Sequence, residues 1–169
     1  ADAAADQLLE NGCAFLTTQA LLPGLAAQLK LRARLGLRNC AHSLVKMLDP
    51  FFGKGVVLAS ATHPPYLDAM RTILLARGQT ALLFRATEGE PYANPRRCPQ
   101  IEHLVGNESR VLCAAEGDSL KSLPVLPNDA SPESTAEWIR QILDRQLVLP
   151  LPIVRQLACC LLASGACAD

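Results

Sequence analysis

The sequence predicts an α/β fold: a sheet with parallel βαβ units flanked by helices. Three observations carry that expectation. Half of the 169 residues are hydrophobic and only 4% are aromatic. The core must therefore come from Leu, Val, Ile and Ala, which suits helices on a buried sheet. Two short apolar runs, Gly55 to Ser60 and Thr80 to Phe84, read as buried strands. The segment between them, Thr62 to Arg77, reads as a helix, so the three form a βαβ unit with the usual right-handed crossover.

Taken in order, Asp2 to Glu10 predicts a short helix stopped by Asn11-Gly12. Ala14 to Thr17 reads as extended, and Leu25 to Leu31 as helical. After a turn at Gly36, a helix from Asn39 to Leu48 ends before Asp49-Pro50, because proline disfavours helical geometry in the residue before it. Thr62 is the expected cap of the crossover helix, with Pro64 or Pro65 in its first turn and Gly78 as its stop. Ile101 to Val105 and Arg110 to Ala114 read as two shorter strands around a Gly106-Asn107 turn. Ser131-Pro132-Glu133 sets up a helix to Asp144, with a cap, a first-turn proline and an acid facing the dipole. Trp138 shares helical spacing with Ile142 and is assigned to the core. Pro150 and Pro152 precede a last helix, Ile153 to Ala163, ended at Gly165. Residues 122–131 are a connector, so residues 1–169 are expected to form a single α/β domain.

Charge and cysteine content exclude several classes. The sixteen basic and sixteen acidic residues cancel, so whole-molecule steering toward a polyanion is not expected. The seven cysteines are scattered, odd in number and without a C-x-x-C pair. That fits reduced thiols of a cytoplasmic protein, mostly serving as small core hydrophobes, better than a disulfide scaffold or a zinc site. No signal peptide or membrane span is visible. The chain opens on Ala1-Asp2-Ala3 without a methionine, which reads as the interior of a longer protein.

Charge is nevertheless segregated locally. Six of the sixteen basic residues, Lys30, Arg32, Arg34, Arg38, Lys46 and Lys54, fall within 25 positions, against the single acid Asp49. Arg34 and Arg38 share a face if the turn between them is helical, and Lys46 lies two turns further on. Guanidinium groups hold phosphate oxygens in a two-pronged grip, and lysine adds a point charge. Asn39, His42 and Ser43 add further polar groups able to reach phosphate or sugar. A solvated basic face is the plainer alternative.

The same stretch carries a resemblance. Arg32-Ala33-Arg34-Leu35-Gly36-Leu37-Arg38-Asn39, continuing to Leu48-Asp49-Pro50, resembles the R-x-x-L-G-x-R-T…N-P segment of anthranilate phosphoribosyltransferases, members of glycosyltransferase family 3. Two separated motifs, R-N-C-A-H-S-L-V-K and T-E-G-E-P-Y-A-N-P-R-R-C-P-Q, look like the YbiB-type branch of that family. The resemblance implies a catalytic-domain fold like that of nucleoside phosphorylases and phosphoribosyltransferases, and sequence-independent binding of DNA or RNA. It also implies that this is the C-terminal portion of a cytoplasmic homodimer whose contact lies in a separate helical domain. The family's Gly-rich phosphate loop and K-H-G-N motif are not among these residues.

Residue by residue, Arg32 aligns with the arginine that holds the substrate carboxylate in the enzymes, whereas their His-Pro pair reads Leu22-Pro23 here. Glu88 and Glu90 fall near the enzymes' Asp-Glu pair for Mg²⁺, interrupted here by Gly89. A solvated acidic loop is the competing reading. His42 has no evident nucleophile to serve as a base, and no catalytic residue is assigned. Arg96 and Arg97 form a second basic loop. The expected function is nucleic-acid binding through Lys30, Arg32, Arg34, Arg38, Asn39, His42 and Lys46, with no cofactor needed. The alternative is phosphoribosyl or glycosyl transfer from phosphoribosyl pyrophosphate with Mg²⁺, for which the family's phosphate loop is lacking here.

Overall fold

The crossover unit forms where the apolar runs place it. The computed structural model describes residues 2–86, 90–116 and 125–167, and the chain divides into two compact units, Ala1–Phe52 and Gly53–Asp169.

In the second unit, β1 (Val57–Ala61) pairs in parallel with β2 (Ala81–Arg85) through the helix α5 (Pro64–Ala76). Two further strands, β3 (Ile101–Val105) and β4 (Glu108–Cys113), continue the sheet in the order β1-β2-β3-β4. Both added pairings are antiparallel, so the sheet is mixed, with one parallel pair among the described residues. The two strands on either side of Gly106-Asn107 form a hairpin, and Gly106 supplies the turn with a φ of 57°. Thr62 does not cap α5. His63 occupies the cap position without a side-chain bond, and two prolines pre-set the first turn instead.

Strand alternation divides the sheet into two faces. Leu82, Phe84 and Ile101 lie on one face and pack with Cys159 of α7 (Leu151–Ala163). Each of these large side chains is at most 2% exposed, and burial of one contributes about 1.5–3 kcal/mol. A register shift at Ile101/Glu102 lets the successive residues Leu112 and Cys113 both pack against this cluster. Leu83 and Glu102 share the opposite face, where α5 sits. There Arg71 of α5 grips Glu102 from Nε (2.7 Å) and Nη2 (2.9 Å) while its Nη1 meets Asp68 at 2.6 Å. The guanidinium holds the Glu102 carboxyl below its ordinary range.

The helix α6 (Pro132–Leu143) begins as expected: the Ser131 hydroxyl accepts from the Ser134 amide at 3.2 Å. Its placement differs from the expectation. No residue of α6 is buried, and Trp138 is half-buried with its indole N–H donated to the Val125 carbonyl at 2.9 Å. Trp138 therefore pins the preceding segment and is not a core residue. The cysteines are also less uniformly buried than expected. Cys98 and Cys159 are buried, Cys113 and Cys160 half-buried, and Cys13, Cys40 and Cys167 exposed. Burial pushes the Cys159 thiol up to about 11, which suppresses its thiolate.

The first unit is helical: α1 (Asp2–Asn11), α2 (Thr18–Leu21), α3 (Pro23–Leu35) and α4 (Ala41–Leu44), followed by a 3₁₀ turn at Val45–Met47. Ala14 to Thr17 joins no strand. Thr17 instead caps α2, accepting from the Ala20 amide at 3.2 Å. Pro23 opens α3 at a position where its missing N–H costs nothing. No described helix is long and apolar enough to cross a membrane.

Candidate nucleic-acid interface

The cationic stretch is organised around the C-terminus of α3. Gly36 closes that helix in the left-handed region, φ 70°, and its N–H bonds the Arg32 carbonyl at 2.9 Å. The helix thus ends before Arg38, so Arg34 and Arg38 do not share a helical face. Lys30 and Arg34, four apart inside α3, do share one. Arg32 lies about 160° around the helix from Lys30, and Arg38 follows the cap. All four side chains are exposed, and no acid falls between Lys30 and Arg38. They surround a helix end whose free carbonyls already carry partial negative charge, so they also support the helix itself.

Asn39 and His42 have local work. The Asn39 amide donates to the Gln28 carbonyl of α3 at 2.8 Å, and its Oδ1 accepts from the Ala41 N–H at 3.1 Å. His42 Nδ1 stands 3.3 Å from the Asn39 N–H and 3.1 Å from Asn39 Oδ1. In the Nε2-protonated tautomer it accepts from the former. With a proton on Nδ1 it donates to the latter. These bonds staple the start of α4 to α3 and hold Arg38 next to the helix end. Lys46 sits half-buried in the 3₁₀ turn, and Lys54 is exposed in the other unit.

Three aromatic residues in the first unit are exposed, and none was among the site residues expected from the sequence. Phe15 is 81% exposed, Phe51 52% and Phe52 93%. Phe52 also has a φ of 53°, a region that L-residues rarely occupy. The doublet before Gly53 was the available signal.

The other predicted groups lie in the second unit. Glu88 is outside the described residues. Glu90 is exposed, and its carbonyl accepts the hydroxyl of Ser60, itself 1% exposed, at 2.8 Å. Among the described residues no three His, Cys, Asp or Glu side chains cluster as metal ligands. Arg96 and Arg97 project from a turn in which Asn94 accepts the Arg96 N–H at 2.9 Å.

Fold and site together define a mixed α/β protein with an appended helical unit whose exposed basic cluster is free of acids. No family model matches the chain. It is similar to the uncharacterized protein YbiB of Escherichia coli (strain K12), with 39% identity over 163 residues. The alignment covers 96% of this chain and 50% of that protein, so the chain spans about half the length of this curated relative.

Proposed function

We propose that this chain is part of an anthranilate phosphoribosyltransferase-like protein that binds nucleic acid without sequence preference, through phosphate contacts made by the basic cluster at the end of α3. The observation that carries this reading is the set of four exposed cations, Lys30, Arg32, Arg34 and Arg38, within nine residues that include no acid. Such a cluster in a chain of zero net charge has a local electrostatic use, because it attracts phosphates without making the whole molecule a polycation. Contacts to phosphate carry no sequence information. The two motifs that resemble the YbiB-type branch agree with this reading, whereas the 39% identity to the uncharacterized protein YbiB speaks for kinship with that protein alone.

The test is competition. A labelled strand is displaced by unlabelled strands of equal length and unrelated sequence, and the reading expects equal displacement within about twofold. A strand preferred a thousandfold, as base-reading proteins show, would contradict it. Calorimetry with phosphoribosyl pyrophosphate and Mg²⁺ addresses the transferase alternative, which requires a heat of binding.

A further inference from the structure

The second unit contains a cleft of about 520 Å³ at the carboxyl ends of β1 and β2. It is lined by Thr62 after β1, by Arg85 and Ala86 at the end of β2, and by Asn94, Arg97 and Gln100 ahead of β3. In open α/β sheets ligands bind beyond the carboxyl ends of the strands, and this volume suits a mononucleotide-sized molecule.

The charges of the cleft do not cancel where they matter. Its two carboxylates, Glu102 and Glu116, are already engaged. Arg71 holds Glu102 from α5, and Arg155 of α7 meets Glu116 at 2.5 Å. Arg85 and Arg97 have no carboxylate partner among the described residues. Arg85 is instead positioned by its Nε, which donates to the Thr62 carbonyl at 3.0 Å and leaves its terminal nitrogens available. A guanidinium steadied on one edge is suited to grip an oxyanion with the other.

The segment bearing Arg97 is pinned by polar groups taken out of water. Gln156 of α7 is 5% exposed. It accepts from the Ala93 N–H at 2.6 Å and donates to the Pro91 carbonyl at 2.9 Å. Ser60 holds the Glu90 carbonyl from β1, and the Glu116 N–H holds the Cys98 carbonyl at 3.2 Å. Buried polar bonds of this kind specify one conformation more than they add stability. Their effect is to hold residues 90–98, and hence Arg97 and Asn94, in a fixed position before any ligand arrives.

We propose that this cleft is a second anion site, separate from the α3 cluster, which binds a phosphomonoester through Arg85 and Arg97 with Gln156 as a positioning residue. A free small molecule and the 5′-phosphate of a strand offer the same chemistry, and the experiment separates them. Adenosine 5′-monophosphate and adenosine are titrated into the whole chain by calorimetry. The nucleotide is expected to bind saturably and at least tenfold more tightly than the nucleoside. Arg85→Ala combined with Arg97→Ala should weaken it at least tenfold, and since both side chains are exposed the fold should be kept. Gln156→Leu should weaken it less, and addition of salt should narrow the difference from the unaltered chain. Equal binding of nucleoside and nucleotide, or unchanged nucleotide affinity in the double variant, overturns the proposal. In the second arm, 5′-phosphorylated and 5′-hydroxyl oligonucleotides are compared. A preference for the phosphorylated strand that the double variant loses assigns the strand end. Equal strand binding alongside selective nucleotide binding assigns a free phosphomonoester. Failure of strand binding by the α3 cluster leaves the nucleotide titration intact, so the two readings fail separately.

Discussion

Replacing Gln156 with leucine tests how the loop over the cleft is held. Gln156 is 5% exposed and makes two hydrogen bonds to the loop backbone, one from the N–H of Ala93, which is 0% exposed, and one to the carbonyl of the exposed Pro91. Leucine has a similar volume, so the packing change is small. The cost comes from polar groups. Two intramolecular bonds contribute about 1 kcal/mol each, and a buried N–H left without a partner costs about 1–3 kcal/mol. The destabilisation should therefore be about 2–4 kcal/mol, at the lower end if the loop opens and admits water. Hydrogen exchange distinguishes the two cases. With opening, the Ala93 amide should lose about thirtyfold in protection, the equivalent of 2 kcal/mol, while amides of β2 keep theirs. Without opening, the urea midpoint of the second unit falls. An unchanged midpoint together with unchanged protection at Ala93 would refute the claim that Gln156 holds this loop.

Other changes probe separate links. Glu102→Gln removes the charge that Arg71 grips from α5 and should cost about 1.5–3 kcal/mol in denaturant unfolding. Because the folded state holds the Glu102 carboxyl below its ordinary value of 4.5, its contribution is present above that pH and is lost as pH falls through the folded-state value. Acid titration of stability should thus be shallower in the glutamine variant below about pH 4.5. Gly36→Ala places an L-residue at φ 70°, where an added Cβ meets nothing within 4 Å, so the cost is backbone alone. About 1–2 kcal/mol is expected, read as a lower melting temperature of the first unit's helical signal. Ser131→Ala removes the α6 cap and should cost about 1 kcal/mol, read as faster exchange at the Ser134 amide.

Elements set by local chemistry were legible in the sequence. Apolar runs marked β1 and β2, and Pro64-Pro65 with Gly78 bounded α5. Ser131-Pro132-Glu133 started α6, and Gly165, at φ 73°, closed α7. What escaped depends on partners distant in sequence. Strand direction is one case, because β3 joins β2 antiparallel through pairing rather than through any local residue preference. Trp138 is another: spacing with Ile142 marks one side of a helix but does not say whether a sheet covers that side. In the site, the charges of Lys30 to Arg38 were legible, but their geometry was not. The left-handed Gly36 ends α3 two residues before Arg38 and so pairs Arg34 with Lys30. The bonds of Asn39 to Gln28, and of Gln156 to Pro91 and Ala93, span 11 to 65 residues and left no pattern in the sequence.

The central claim is that exposed cations around the end of α3 contact nucleic-acid phosphates. It is tested most directly by titrating a labelled single strand into the whole chain over about a fourfold range of salt. Four contacts, from Lys30, Arg32, Arg34 and Arg38, predict a log–log slope of about −2.8. Lys30→Ala with Arg34→Ala should bring it to about −1.4, with the loss in affinity the same for unrelated sequences. A slope near zero, or one that the double variant leaves unchanged, would contradict the account.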